Sequence, residues 1–442
     1  MRDILVTLLI LGSIPYIIKR PHIGVLVWSW LAYMNPHRLT WGFAYSLPFS
    51  QLIALVTLAA FIFAKDNKKY PMNGVSILLV LFIVWQTITT YASPNFGGSM
   101  YEMIRVYKIQ IVILLSIILF QEKDRIIKLV CVIALSIGFF GVKGGVFAIG
   151  TGLSFRVWGP PDSFIEGNNE LGLALLTVLP LFYFMHGHFQ NKWVKRGLFF
   201  SMVLMMASVA STYSRGAFLG AICMMFFLWL KTNNKIVTGF MGLIVVLVIA
   251  LSMPPEWYSR ISTIGTYSED ASAMGRIIAW KLAGNVANDS ITGGGFGGTF
   301  TVANYFKYYG VLRGTDAHSI YFEVLGEQGY IGLIIFLSMF ILGWRYGNWI
   351  IKNTKGHADL DWAGKLAAML QVSIIAYGSG GAFLGLAYYD LPYSILALLV
   401  VTRIVVTKEL TAKAEQKIED TRQAIIEKQQ LLSQTSHQIK ET

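Results

Sequence analysis

Charge is scarce in this chain: 14% of its 442 residues are Asp, Glu, Lys or Arg, against about one-quarter in an ordinary soluble domain. With 55% hydrophobic residues and a mean hydropathy of +0.56, a soluble enzyme or a pair of them is excluded. Cysteine is nearly absent. Cys131 and Cys223 both fall inside apolar runs, so neither a disulfide framework nor a thiolate metal site is supported. The seven histidines are scattered and build no metal cluster. No repeat occurs at any period, and no pair of matching half-chains of the kind many transporters show. After Met1-Arg2-Asp3 comes an apolar stretch without a small-residue cleavage site and polar mature segment, so the first run is expected to be a membrane segment.

What remains is a polytopic membrane pattern. Apolar runs fall near 4–18, 22–35, 46–64, 73–93, 103–121, 126–149, 170–187, 197–212, 215–231, 235–253, 326–347, 364–386 and 391–407. A span needs ~20 apolar residues, and the first two runs are shorter and divided by Lys19, Arg20 and Pro21, so about 12 spans are expected. The net charge of +12 lies in short segments between runs and reports topology; no nucleic-acid motif accompanies it. Lys65, Lys68 and Lys69; Lys123, Arg125 and Lys128; Lys192, Lys195 and Arg196; Lys231 and Lys235; and Arg345, Lys352 and Lys355 occupy alternate loops, which places those loops in the cytoplasm. The loops at 94–102, 150–169, 254–325 and around Tyr388–Asp390 then face outward.

The outer segment 254–325, about 70 residues, is too long to be idle. Within it Ala271 to Asn288 reads as an amphipathic helix, Ile291 to Phe300 as a glycine turn and Thr301 to Tyr309 as a short aromatic helix. Together they suggest a cap on the outer face. Beyond Val406 the composition turns to Lys, Glu, Gln and Ala, which reads as a solvated cytoplasmic helix.

Charges placed where a bilayer makes them expensive are functional candidates. Lys143 sits among glycines near the outer end of its run; Arg105 and Lys108 share one helix face; Arg215 closes a short turn between two runs; Arg276 lies on the cap helix. All fall on the outer side, where basic residues near membrane ends are sparse, and together they suit an anionic ligand, although snorkelling of single side chains is the plain alternative. His318 stands just before the run near Leu325, and an imidazole there is a candidate base or proton shuttle. Glu323 and Glu327 follow one and two helical turns beyond Ser319, and Asp390 marks the last outer turn; each is an acid candidate or a helix-end anchor. Gly293–Gly298 formally satisfies GxGxxG but has no nucleotide-fold strand before it, so it reads as a tight turn. Asp359 and Asp361 have the spacing of a metal-holding DxD but are isolated in a cytoplasmic loop, and a solvated pair is the better account.

The stretch Thr212–Ala217 (TYSRGA), His318–Tyr321 (HSIY) with Gly326–Gly329 (GEQG), and Met274–Trp280 (MGRIIAW) resemble the O-antigen ligase family. Trp28–Arg38 and Trp41–Phe49 further resemble the N-terminal domain of ligases found with exosortase-type exopolysaccharide systems. The resemblance implies an all-α polytopic glycosyltransferase of the GT-C type with a helical periplasmic cap. It divides the chain into an N-terminal membrane domain (1–99), a ligase-like domain (100–407, with the cap at 254–325) and a cytoplasmic helix (408–442). It also implies a bacterial inner-membrane location and an active site facing the periplasm. The implied partners are an undecaprenyl-diphosphate-linked glycan donor, a lipid A-core acceptor and membrane lipid, with no cofactor, metal or nucleic acid. His318 would be the base and Arg215 and Arg276 the diphosphate clamp, with Lys143, Arg105 and Lys108 as weaker helpers. Glu323, Glu327 or Asp390 would tune the base. A pilin O-glycosylation ligase or a polysaccharide polymerase on the same scaffold stays open, and a transporter without chemistry is disfavoured by the missing repeats and the one-sided cap.

Overall fold

The computed structural model describes residues 1–64, 69–232, 235–236, 239, 242, 271–312 and 314–440. Among them are helices and turns and no strand. In chain order the α-helices are α1 (Arg2–Lys19), α2 (Pro21–Met34), α3 (Phe49–Phe63), α4 (Gly74–Tyr91), α5 (Phe96–Leu119), α6 (Lys123–Gly150), α7 (Asn168–His188), α8 (Lys192–Ala210), α9 (Arg215–Lys231), α10 (Ala271–Asp289), α11 (Val302–Tyr309), α12 (Ile320–Asn353), α13 (Asp361–Gly381) and α14 (Asp390–Lys440). Each apolar run of the sequence becomes a helix, except that the run at 235–253, apart from residues 235, 236, 239 and 242, and the start of the expected cap at 254–270 lie outside the described residues. α4, α6, α7, α8 and α12 are long and apolar enough to cross a membrane by length and composition, with α3 somewhat shorter.

Helix starts follow local chemistry. Asn73, Asn191 and Ser214 cap α4, α8 and α9 by accepting backbone N–H bonds, and Pro21 opens α2 where its missing N–H costs nothing. Lys19 and Arg20 form the turn between α1 and α2, which pack as a hairpin. At the C-terminus the last apolar run and the charged tail form one uninterrupted helix, because no Gly or Pro occurs between Tyr393 and Lys440. The composition change at 407/408 is therefore not a structural break.

Helices approach closely where side chains are smallest. α6 meets α8 through Gly141, Gly144 and Gly145, and a Cβ on Gly145 would lie 2.0 Å from the Leu204 carbonyl oxygen. α9 meets α13 at Gly220, whose Cβ would stand 3.1 Å from Gly380 Cα. In the most apolar stretch of α7, 78% of residues are buried against 22% in α8, so α7 runs through the centre of the bundle and α8 along its rim.

α12 bends at Gly329, whose φ of 65° and ψ of −174° are open only to glycine. The glycine segment 293–298 docks into this bend: Gly294 N–H bonds the Gly326 carbonyl at 2.9 Å and Gly295 N–H the Glu327 carbonyl at 2.9 Å. The Gln328 carbonyl, freed by the bend, accepts from Trp85 Nε1 of α4 at 2.8 Å. The tight turn expected at Gly293–Gly298 is thus a wedge beneath the cap. Ser93 and Ser99 hold it from the α4–α5 turn by donating to the Gly294 and Phe296 carbonyls.

Loops assigned to one side by charge do share one end. The 94–102 turn meets the glycine segment, Phe164 of the 150–169 loop packs on Tyr389, and Phe296 packs on Tyr388. At the other end Lys413 of the tail bonds both oxygens of Asp359 and Lys365 pairs with Asp361. Both carboxylates of the DxD spacing are engaged by lysines, in keeping with a solvated pair.

Candidate functional site

α10 and α11, in the segment expected to form a cap, make a unit of their own. Ala279, Leu282, Val286 and Tyr305 make a small core between α10 and α11, and Asp289 is bonded by the Lys307 ammonium and the Tyr308 hydroxyl, which hold its carboxyl below the ordinary range. α10 packs along α12. Trp280, one turn after Arg276, fixes the register: its indole N–H donates to the Ala317 carbonyl at 2.9 Å, and its ring lies nearly parallel to Phe322 at 5.0 Å. Phe383, in the turn after α13, approaches the same ring at 6.2 Å.

His318 is therefore pinned on both sides, by Ala317 before it and by buried Ser319 at the start of α12 after it. Its own backbone is left-handed, with φ 47°, a conformation that costs a non-glycine residue about 1 kcal/mol or more. The hairpin between α8 and α9 repeats the device, with Tyr213 at φ 54° just before Arg215. The Tyr213 hydroxyl donates to the Leu153 carbonyl, Val157 N–H bonds the Ser211 carbonyl at 2.9 Å, and Asn168 Nδ2 donates to the Thr212 carbonyl at 2.7 Å. Arg215, half-buried as the first residue of α9, thus adjoins the start of α7 and, through Gly216, the turn at Phe383 and Leu384.

The start of α7 supplies the meeting point. Glu170, in its first turn, lies within electrostatic reach of His318, Asp316 and Arg276. Its carboxylate curls back over Gly167, where a Cβ would fall 1.9 Å from Oε2. Asp316 and Glu323 flank Gly385 in turn, their oxygens 3.1 and 3.5 Å from the place a Cβ would take. His318, Arg276, Glu170, Asp316 and Glu323 accordingly form one mixed-charge cluster where α7, α10, α12 and the α13–α14 turn converge. Arg156, over the Tyr213 ring at 5.9 Å, adds a cation at the hairpin tip.

The other candidate residues occupy distinct places. Glu323 accepts from Ala387 N–H at 3.1 Å and Glu327 from Gly297 N–H at 2.8 Å, so both carboxylates brace the backbone around the mouth. Asp390 is buried as the first residue of α14. Burial, with Glu327 and Glu323 near Tyr388 and Asp390 near Tyr389, pushes both phenols well above their ordinary range, keeping them neutral. Arg105 lies 3.9 Å over the Phe164 ring and 3.7 Å from Glu102. Lys108 and Lys143 are exposed on α5 and α6 and make no ion pair among the described residues.

Glu170, Asp316, Arg156 and Trp280 are absent from the sequence-based candidates. An acid in the first turn of a central apolar helix, and another two residues before the histidine, were the available signs; neither is distinctive until the fold brings them together. His37 and Arg38, at the end of the Trp28–Arg38 stretch, make structural contacts. His37 is buried against Phe49, and Arg38 pairs with Asp162 at 3.0 Å while Tyr45 donates to the same carboxylate at 2.9 Å.

An arginine beside a pinned histidine flanked by carboxylates, with a second arginine on the adjoining hairpin, can neutralise a developing anion and move a proton. Residues 200–337 match the family model described as O-antigen ligase, a span that contains Arg215, Arg276, His318 and the glycine wedge. Residues 1–189 match a family of unknown function (DUF5935). No curated protein matches the chain. The match over residues 200–337 supports assignment to the O-antigen ligase family and, with the apolar helices, indicates a multi-pass membrane enzyme of the glycosyltransferase type.

Proposed function

We propose that the protein is an inverting, metal-independent glycosyltransferase of the GT-C type, moving an O-antigen glycan from undecaprenyl diphosphate to a hydroxyl of lipid A-core oligosaccharide. The reaction takes place at the periplasmic face of the inner membrane. The observation that carries this reading is the shared neighbourhood of His318 and Arg276 around Glu170, at the end of the bundle that carries the cap. His318 takes the acceptor hydroxyl proton as that oxygen attacks the anomeric carbon. The bond from that carbon to the diphosphate oxygen breaks on the opposite face, giving inversion. The charge left on the lipid diphosphate is met by Arg276 and Arg215, whose guanidinium forks match phosphate oxygens. Glu170 and Asp316 stabilise the imidazolium formed in the step.

The test is transfer in nanodiscs from undecaprenyl-diphosphate glycan to lipid A-core in the presence of EDTA, comparing wild type with His318→Ala and Arg215→Ala. A product that survives the chelator and falls about 100-fold or more in each folded variant supports the reading. Transfer undiminished in His318→Ala overturns the base. Product only with a pilin serine or a growing glycan as acceptor overturns the lipid A-core assignment.

A further inference from the structure

At the end of the bundle opposite the cap, the turn between α7 and α8 carries an open cavity of about 470 Å³ lined by His186, Lys195, Arg196, Phe199 and Phe200. His186 and Glu170 lie on the same helix, 16 residues apart, so the cavity stands ~24 Å along α7 from the catalytic cluster.

Three nitrogen-bearing side chains face this cavity and no carboxylate lines it. No Asp or Glu occurs in the sequence between Glu170 and Glu256. Neither Lys195 nor Arg196 forms an ion pair with any described residue; Arg196 instead lies 5.1 Å over the Trp193 ring. Around the cations, Trp193, Phe199 and Phe200 are exposed on the bundle's outer surface, Trp193 at 76% and Phe200 at 62%. Unpaired cations over an exposed aromatic floor at a helix end match the border between phospholipid headgroup and acyl chain.

We propose that this cavity binds the phosphodiester headgroup of an anionic glycerophospholipid. Lys195 and Arg196 hold the phosphate, His186 lines the inner wall, and the acyl chains run along Phe199 and Phe200 on the exposed face of α8. Orientation of basic loops by the insertion machinery would account for positive charge here, but not for selectivity among lipids at particular side chains.

The test is native mass spectrometry of the full chain in detergent with phosphatidylglycerol, phosphatidylcholine or inorganic phosphate. Phosphatidylglycerol is expected to bind in preference to phosphatidylcholine. Lys195→Gln and Arg196→Gln should each weaken it about fivefold, and Lys192→Gln, a neighbouring exposed lysine outside the cavity, should leave it unchanged. Equal binding of the two lipids, wild-type behaviour of both cavity variants, or equal loss in Lys192→Gln overturns the proposal. Displacement of phosphatidylglycerol by inorganic phosphate overturns the lipid as the source of the phosphate. The readout does not involve glycosyl transfer, so it stands or falls separately from the proposed reaction.

Discussion

The Trp280 indole N–H donates to the carbonyl of Ala317, at 2.9 Å, and so ties the cap helix to the residue immediately before His318. Arg276 is one turn away on the same helix. One hydrogen bond thus sets the distance between a proposed phosphate ligand and a proposed base. Trp280→Phe keeps a ring against Phe322 but leaves the buried Ala317 carbonyl without its donor. A net hydrogen bond of about 1 kcal/mol corresponds to a roughly fivefold loss in transfer rate. Initial rates at saturating donor, with melting in detergent as the folding control, check this.

The bend in α12 depends on glycine. A Cβ at Gly329 would stand 2.2 Å from the Ile291 carbonyl oxygen, on a backbone at φ 65°. Gly329→Ala is expected to destabilise the protein by at least ~2 kcal/mol. Gly284→Ala, on the cap helix with nothing within 4 Å of its Cβ position, should be neutral or stabilising by about 0.5–1 kcal/mol. Size-exclusion recovery and melting of the two variants side by side decide whether the bend, and not glycine content, matters.

His37 brings a pH dependence. Burial, with Arg38 adding to it, lowers its pKa from 6.5 to about 4, so the folded chain holds a neutral imidazole. Because the unfolded chain protonates first, the stability associated with neutral His37 is complete above pH 6.5 and is lost as pH falls from there through about 4. Wild type should therefore lose melting temperature over that interval more steeply than His37→Gln. Parallel slopes would remove the imidazole from the account.

Arg38 and Asp162 join the N-terminal segment to the 150–169 loop, but their side chains are 34% and 58% exposed. Exposed ion pairs contribute little, so Asp162→Ala is expected to cost less than ~1 kcal/mol despite also losing the Tyr45 bond. A larger shift in chemical denaturation would show that the contact anchors the whole N-terminal segment.

Much of the fold was legible because a membrane forces long apolar runs. The runs at 73–93, 126–149 and 170–187 became α4, α6 and α7 within a few residues at each end. In the cap, the helix expected from Ala271 to Asn288 is observed as Ala271–Asp289, since its apolar period is local. His318, Arg215 and Arg276 were visible as charges out of place. The continuity of α14 was less visible, because composition changes where helix propensity does not.

Sequence by itself determined where helices form, which loops share an end, and which isolated charges sit at that end, because hydropathy, caps and glycine turns act over a few neighbouring residues. Tertiary structure alone decided that Glu170 and Asp316 join His318, that Glu323 and Glu327 brace backbone N–H groups, and that Lys143 and Lys108 stand on exposed faces. It also made a segment at 293–298 the wedge in a helix that begins more than twenty residues later. Such contacts join chain positions too far apart to share a period, and only the packing of helices brings them within reach.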